Sequence, residues 1–355
     1  MVNAGTSNPD ARGVQLPSSP MTAPLKPFYT LFSFTLLLGV VVVLSSNNWI
    51  TIWAGLELNI YSFVPLLLTS KSNQEKEAAI KYFLFQALAS GLLLIRALTS
   101  HLLGVGPMFL LIRILIKLGI APCHFWFPIV INRIRWNICW VLSTIQKISP
   151  IILILSSLSN KIIEPVAYIS GANALLGGLI GLNQTQLRPI LAYSSIGHIG
   201  WISRGILCST HLSWWYFIVY LFLISTIIPI FASLRMTSNK ISLRSINAPQ
   251  NNDVILVIAL LRLGGIPPIL GFFPKIFIIS SLVSNNMISL ALILIIGSTL
   301  NLYYYIKIAF NIFLNSYSTQ PFLMLHTLPP RIFIISWVLS ISTFTGILML
   351  PLTII

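Results

Sequence analysis

Apolar runs of about 20 residues alternate with short polar turns from Phe28 onward. A transmembrane helix needs about 20 mostly apolar residues, so the pattern predicts an all-α polytopic membrane protein with about eleven transmembrane helices. The predicted spans are 28–46, 50–69, 77–99, 105–131, 137–158, 166–183, 188–208, 212–235, 252–284, 287–314 and 330–352. Residues 1–27 are rich in Pro, Ser, Asn and Gly. We expect a polar N-terminal arm, disordered or extended, ahead of a single transmembrane domain over 28–352.

Two predicted spans are too long for one straight helix and are interrupted by Gly and Pro. They contain KLGIAPCHFWFP at 117–128 and RLGGIPPILGFFPK at 262–275. Proline removes a backbone donor, and bare carbonyls at membrane depth are tolerated only where they line protein or a wet cavity. Paired interruptions of this kind are typical of inverted-repeat transporters. The pattern predicts two discontinuous helices in an antiporter-like inverted repeat, and two independently kinked helices are the alternative.

The composition narrows the class of protein further. Of the 355 residues, 56% are hydrophobic and 8% are charged, whereas soluble domains carry about 25% charged residues. This excludes a soluble enzyme, a disordered protein and a disulfide scaffold. Lys and Arg total 21 against 6 Asp and Glu, a formal charge of +15. Because no soluble domain is predicted that could carry a basic patch, we expect no nucleic-acid partner.

One acidic residue lies well inside an apolar span. This is Glu57, in the run WAGLELNIYSF. An ionisable side chain at bilayer depth is a functional hypothesis by default, because its insertion costs about 2.5–3.5 kcal/mol on translocon scales. Its candidate partner is Lys81, near the start of the next span. The alternative is a structural ion pair that pins two helices together.

Three lysines lie at or near the interruptions. Lys117 is in the first interruption, Lys147 is in the following span, and Lys275 ends the second interruption. A lysine that loses its hydration gives up a proton more readily, so these lysines are candidates for a proton relay. His124 and His198 are secondary candidates, since histidine titrates near neutral pH. The alternatives are lysines that snorkel to the membrane surface and histidines that only pack.

No sequence motif for another chemistry is present. The chain has no G-x-G-x-x-G, P-loop, H-E-x-x-H or paired C-x-x-C motif. Its three cysteines lie in apolar surroundings without metal-binding spacing. We therefore expect no cofactor and no metal ion in this chain.

Six segments together resemble subunit 2 of mitochondrial NADH dehydrogenase, a family of antiporter-like membrane subunits of respiratory complex I. They occur in the family's order and cover most of residues 45–280. The segments read NNWITIWAGLELNIYSFVPLL, AAIKYFLFQALAS, KLGIAPCHFWFP, STIQKISP, LNQTQLRPILAYSSIGHIGW and LGGIPPILGFFPK. The resemblance implies a proton-translocating subunit without redox centres in the mitochondrial inner membrane. Its implied partners are other membrane-arm subunits and lipids, with no direct NADH or quinone site.

The resemblance also implies roles for the candidate residues. Glu57 and Lys81 match the family's modulating pair, Lys117 its first channel lysine, and Lys147 its central lysine. Lys275 matches the lysine of the second broken helix, towards the outlet. Quinone reduction elsewhere in the complex would then change the charge balance at Glu57 and drive a proton step through the lysines.

Two other functions remain open at this point. A stand-alone cation/proton antiporter subunit would share the glutamate and the lysines. A non-pumping scaffold subunit would share the hydropathy and would join neighbouring membrane subunits without moving protons.

Five arginines lie in or beside spans, where relatives tend to have small or polar residues. The invertebrate mitochondrial code reads AGA and AGG as Ser, and the standard code reads them as Arg. We therefore hypothesise that several of these positions are Ser in the native protein, and that Met21 rather than Met1 is a candidate start. Genuine arginines that snorkel or pair are the alternative, and of the five only Arg113, near Lys117, is placed to serve as a channel cation. The five are Arg96, Arg113, Arg135, Arg204 and Arg262.

Overall fold

The computed structural model describes residues 27–69, 72–98, 106–156, 160–233, 250–267 and 269–317. The regular elements within these ranges are thirteen α-helices. They are α1 (Pro27–Ser45), α2 (Trp49–Leu67), α3 (Asn73–Leu98), α4 (Gly106–Leu118), α5 (Trp126–Arg133), α6 (Trp136–Ser143), α7 (Ile145–Ser156), α8 (Asn160–Leu182), α9 (Leu187–Cys208), α10 (Thr210–Ser233), α11 (Gln250–Gly264), α12 (Phe273–Ser284) and α13 (Ile288–Tyr317). The predicted span 330–352 and residues 1–26 of the predicted arm lie outside the described residues.

The helices follow the predicted spans. Over the described residues, seven helical segments are long and apolar enough to cross a membrane: α1, α2, α3, α6 with α7, α8, α10 and α13. The other predicted spans in these ranges correspond to α9 and to the helix pairs α4–α5 and α11–α12. The all-helical polytopic fold is confirmed.

The first predicted interruption separates α4 from α5, and α4 ends there in a Schellman turn. Gly119 N–H donates to the Ile116 carbonyl and Ile120 N–H donates to the Leu115 carbonyl, both at 3.2 Å. These two bonds define the motif and satisfy carbonyls at the helix end. Gly119 has a φ of 63°, which glycine adopts without a steric penalty. The Gly of the KLGIAP pattern is thus the residue that ends the helix.

Other helices satisfy backbone groups that this interruption exposes. Ala121 N–H donates to Oδ1 of Asn173 on α8 at 2.7 Å. Nε1 of Trp126 donates to the Ile116 carbonyl at 2.9 Å. Irregular backbone at membrane depth needs such internal partners, so the interruption is a built feature of the fold.

The second predicted interruption separates α11 from α12, and a left-handed glycine follows the end of α11 there as well. Gly265 has a φ of 78°, and its N–H donates to the Leu261 carbonyl at 3.1 Å. Nζ of Lys275 on α12 donates to the Gly264 carbonyl at 2.8 Å. Both expected discontinuous helices are therefore present, and each break has a left-handed glycine.

The predicted span 137–158 is confirmed as one apolar segment of membrane-spanning length, Trp136–Ser156. The structure divides it at Thr144 into α6 and α7. The hydroxyls of Ser143 and Thr144 both donate to the Trp140 carbonyl, at 3.1 and 2.6 Å. Such back-bonding competes with the backbone ladder and bends helices. Pro150, one and a half turns later, removes a further ladder bond.

The helix α9 lies at the centre of the described bundle. Its residues are buried on every side from Leu187 to Ile206, apart from Arg188 and Tyr193. A helix that is buried all round is enclosed by other elements. Close approach to α8 depends on small residues, since a Cβ on Gly200 would come within 2.7 Å of the Ser170 carbonyl oxygen. This centre carries His198.

Candidate functional site

Lys147 is buried in the interior, on the first turn of α7 and one turn after the break at Thr144. It is 2% exposed. Its Nζ donates to the Tyr220 hydroxyl at 3.2 Å and lies 4.7 Å from the Phe127 ring centroid. Among the described residues, no carboxylate lies within ion-pair distance of this ammonium. Lys147 is therefore held by a phenol and aromatic faces.

Lys117 and Lys147 line one cavity. Lys117 is half-buried in the last turn of α4, next to the first break. The cavity has a volume of about 10 Å³, counted as the space that the centre of a water molecule can occupy. This is room for about one water molecule. Asn59, Gln86 and Gln146 contribute polar groups to its wall. The structure thus brings together two of the lysines that the sequence singles out.

Glu57 lies on α2 and is half-buried. Its charge acts on Lys117, as does the charge of Arg113. In the part of the chain that the structure describes, Glu57 forms no ion pair. Its neighbours Leu56 and Asn59 on α2 line the lysine cavity, so the acid lies on a helix that forms part of the cavity wall.

The expected pairing of Lys81 with Glu57 is not what the structure shows. Lys81 forms an ion pair with Glu77, one turn earlier on α3, at 2.7 Å. Glu77 also contacts Arg133 at the end of α5. Lys81 pairs with Glu77 because residues four apart on a helix lie on the same face. Lys81 belongs to a partly exposed charge cluster at one end of the bundle.

Lys275 lies in the first turn of α12 and is 7% exposed. It is bound to the carbonyl of Gly264 at the second break, as described above. A Cβ on Gly265 would come within 2.8 Å of the Lys275 Nζ, so the left-handed glycine also makes room for the ammonium. Lys275 is thus positioned by the break itself.

The two candidate histidines have different surroundings. His198 on α9 is 4% exposed, its Nδ1 is 3.0 Å from the Tyr216 hydroxyl, and its ring is 5.4 Å from that of Tyr220. The charges of Lys275 and Lys147 both act on it. His198 is therefore connected to the surroundings of Lys147 through the ring of Tyr220, whose hydroxyl accepts a hydrogen bond from Lys147. His124 packs against Phe125 in the first break at 4.1 Å and does not line the lysine cavity.

The arginines in or beside the predicted spans differ in their contacts. Arg135 pairs with Glu75 at 3.3 Å, and Arg96 lies 4.1 Å from the Trp49 ring. By contrast, Arg113 is 1% exposed, and its three guanidinium nitrogens have no hydrogen-bond partner in the described ranges. A buried cation without a partner is costly. The structure thus gives reasons for arginine at two positions and a reason against it at position 113.

Sequence reasoning missed several polar residues of the site. Tyr220 and Tyr216 contact the central lysine and the histidine, and Asn59 and Gln146 line the cavity. Asn59 and Gln146 are amide side chains inside apolar runs, and this is a signal by which the sequence could have identified them. The tyrosines gave no such signal, because aromatic residues are common in membrane helices. Over the described residues, no group of three or more His, Cys, Asp or Glu could hold a metal ion.

Comparison with known proteins shows which structural class of membrane protein this chain belongs to. Residues 46–105 and 95–301 match the family model for the membrane part of NADH:quinone oxidoreductases and Mrp antiporters. The fold is similar to a chain in respiratory complex I from Thermus thermophilus, with a TM-score of 0.74, 21% identity, and coverage of 92% of this chain and 77% of that chain. It is also similar to a chain in the Mrp complex from Dietzia, with a TM-score of 0.71, 18% identity, and coverage of 78% and 59%. The class is that of antiporter-like membrane subunits.

Curated relatives identify the family within that class. The chain is 41% identical over 288 residues to NADH-ubiquinone oxidoreductase chain 2 of Lumbricus terrestris, covering 79% of this chain and 86% of the relative. It is 39% identical over 295 residues to the protein of the same name in Didelphis virginiana, covering 79% and 84%. The chain belongs to the NADH-ubiquinone oxidoreductase chain 2 family.

Proposed function

We propose that this chain is the proton-translocating chain 2 subunit of mitochondrial NADH:ubiquinone oxidoreductase, and that it moves protons through Glu57, Lys117, Lys147, His198 and Lys275. It lies in the mitochondrial inner membrane as a multi-pass protein beside other membrane-arm subunits and lipids. Quinone is reduced elsewhere in the complex, and this chain contributes the proton path.

The observation that carries the proposal is the environment of Lys147. Its ammonium is buried, has a tyrosine hydroxyl as its hydrogen-bond partner and shares a cavity with Lys117. A lysine that only stabilised the fold would be expected to pair with a carboxylate, because a buried charge needs compensation. The aromatic and phenolic surroundings fit both the charged and the neutral form.

Neighbouring groups support such a path. Glu57 acts on Lys117, Lys117 shares the cavity with Lys147, and the charges of Lys147 and Lys275 both act on His198. A change of charge near Glu57 alters the preference of Lys117 for its proton, which then passes to Lys147.

The test replaces a path residue in the assembled complex. A Lys117→Ala complex should assemble with a normal subunit content and pump fewer protons per electron than the wild type. The matched control is Lys76→Ala, an exposed lysine on α3, which should pump normally. Normal pumping by the Lys117→Ala complex would support the non-pumping scaffold instead.

A further inference from the structure

A chain of hydrogen bonds joins three helices beside the lysine cavity. The Tyr82 hydroxyl of α3 donates to Oε1 of Gln146 on α7 at 3.2 Å. Nε2 of Gln146 donates to Oδ1 of Asn59 on α2 at 2.9 Å. Tyr82 is 1% exposed and Asn59 is 3% exposed. Because a buried polar group that loses its partner costs free energy, each side chain fixes the orientation of the next.

Each member of this chain neighbours a residue of the proposed path. Asn59 is two positions after Glu57, and Gln146 directly precedes Lys147. The three side chains line the same cavity as Lys117 and Lys147. The hydrogen bonds therefore join α2, which carries Glu57, and α7, which carries Lys147, at one wall of the cavity.

The two hydrogen bonds leave the Gln146 carboxamide with unused capacity. A side-chain amide has two N–H donors and an oxygen with two lone pairs. Tyr82 occupies one lone pair and Asn59 accepts one N–H. One donor and one acceptor remain, on a side chain that faces a cavity with room for about one water molecule.

We propose that Gln146 is a positioning residue for proton transfer between Lys117 and Lys147, and that Tyr82 and Asn59 hold its carboxamide in the required orientation. The inference rests on the proposed function. In the transfer, a water molecule in the cavity accepts a proton from the ammonium of one lysine and gives one of its own protons to the neutral amine of the other, so the first lysine becomes neutral, the second becomes charged and the water is regenerated. The carboxamide orients this water molecule with its free N–H donor and its free oxygen lone pair.

The sharpest variant is Tyr82→Phe, because it removes one hydroxyl and keeps the ring packing against Phe63 and Trp126. The assembled complex should turn over about threefold to tenfold more slowly when coupled to pumping, the size expected for one lost hydrogen bond. The controls are Ser62→Ala on α2 and Ser90→Ala on α3. Both hydroxyls are bonded to their own helix backbone, and both variants should behave as wild type.

A second variant provides a readout that a structural role would not change. A Gln146→Glu variant keeps the oxygen that accepts from Tyr82 and, when its carboxyl is ionised, lacks the donor to Asn59. Its coupled rate should be highest at low pH and should fall as the carboxyl ionises, which gives a pH profile different from the wild type. An unchanged profile would overturn the inference, as would a wild-type rate for Tyr82→Phe.

The two proposals fail in different ways. If Lys147→Ala abolishes pumping while Tyr82→Phe and Gln146→Glu behave as wild type, the positioning role is wrong and the proposed path stands. If Lys147→Ala pumps normally, the proposed path is itself wrong.

Discussion

At the scale of single residues, it can be tested whether the span positions written as arginine are arginine or serine in the native protein. Arg113 is buried beside Lys117 without hydrogen-bond partners in the described ranges, whereas Arg135 has Glu75 as a partner. Serine at 113 would remove a buried cation that repels the channel lysine. Mass spectrometry of the purified subunit should therefore show the residue mass of serine at position 113. Tryptic cleavage after residue 113 would contradict this.

The charge of Glu57 gives a second prediction at this scale. A Glu57→Gln variant keeps the shape of the side chain and removes the charge that acts on Lys117. Coupled turnover should fall about fivefold or more, the lower end of typical coupling free energies between sites. The control is Glu164→Gln, an exposed acid on α8, which should leave turnover unchanged. A Glu57→Gln complex with wild-type turnover would exclude the electrostatic coupling.

The sequence singles out charged residues within apolar runs, but it does not predict their partners. Glu57 and the lysines stand out because charge is rare and costly in apolar runs. The partner of Lys81 is Glu77, four residues earlier on its own helix, and not Glu57 on the neighbouring helix, because the i, i+4 spacing places the two charges on one face. The contact of Lys147 with Tyr220 joins residues 73 positions apart, and spacing along the chain carries no information on it.

At the scale of helices, the glycine that ends α4 should be hard to replace. A Gly119→Ala variant would force alanine into the left-handed region, at a cost of about 1–2 kcal/mol. Its Cβ would also lie 2.6 Å from Cβ of Phe127. We expect a lower yield of assembled complex and a lower midpoint temperature for its thermal denaturation. A yield and midpoint equal to wild type would show that the turn is not required.

The matched control lies within α3. A Cβ on Gly91 meets nothing within 4 Å, and alanine in a helix interior is favoured over glycine by roughly 0.5–1 kcal/mol. Gly91→Ala should therefore leave the yield and the midpoint unchanged or slightly raised.

Helix breaks are predictable where Gly and Pro mark them and are missed elsewhere. The interruptions at 117–128 and 262–275 are visible in the sequence because both carry Gly and Pro. The break at Thr144 has neither residue at the point of division, and it depends on hydroxyls that bond back to the Trp140 carbonyl. Ser and Thr are common in membrane helices, so their presence alone did not predict it.

At the scale of the whole molecule, the fold is shared by respiratory and antiporter complexes, and the assembly distinguishes them. The chain should co-purify with a rotenone-sensitive NADH oxidase from the same membranes. Recovery in a cation/proton antiporter complex without NADH oxidation would favour the alternative function.

The structure shows where some of the basic residues behind the net charge of +15 lie. Lys117, Lys147 and Lys275 are directed into the interior or to a helix break. Arg133 and Arg135 pair with acids at one end of the bundle. The proposed path and this charge cluster thus account for only part of the basic excess.

The most direct test of the proton path is the number of protons pumped per electron by the Lys147→Ala complex. The assembled complex would be reconstituted into proteoliposomes, with NADH oxidation and proton uptake recorded together and Lys76→Ala as the control. The account predicts a ratio below wild type for Lys147→Ala and a wild-type ratio for the control. A wild-type ratio for the Lys147→Ala complex would contradict the central role of Lys147.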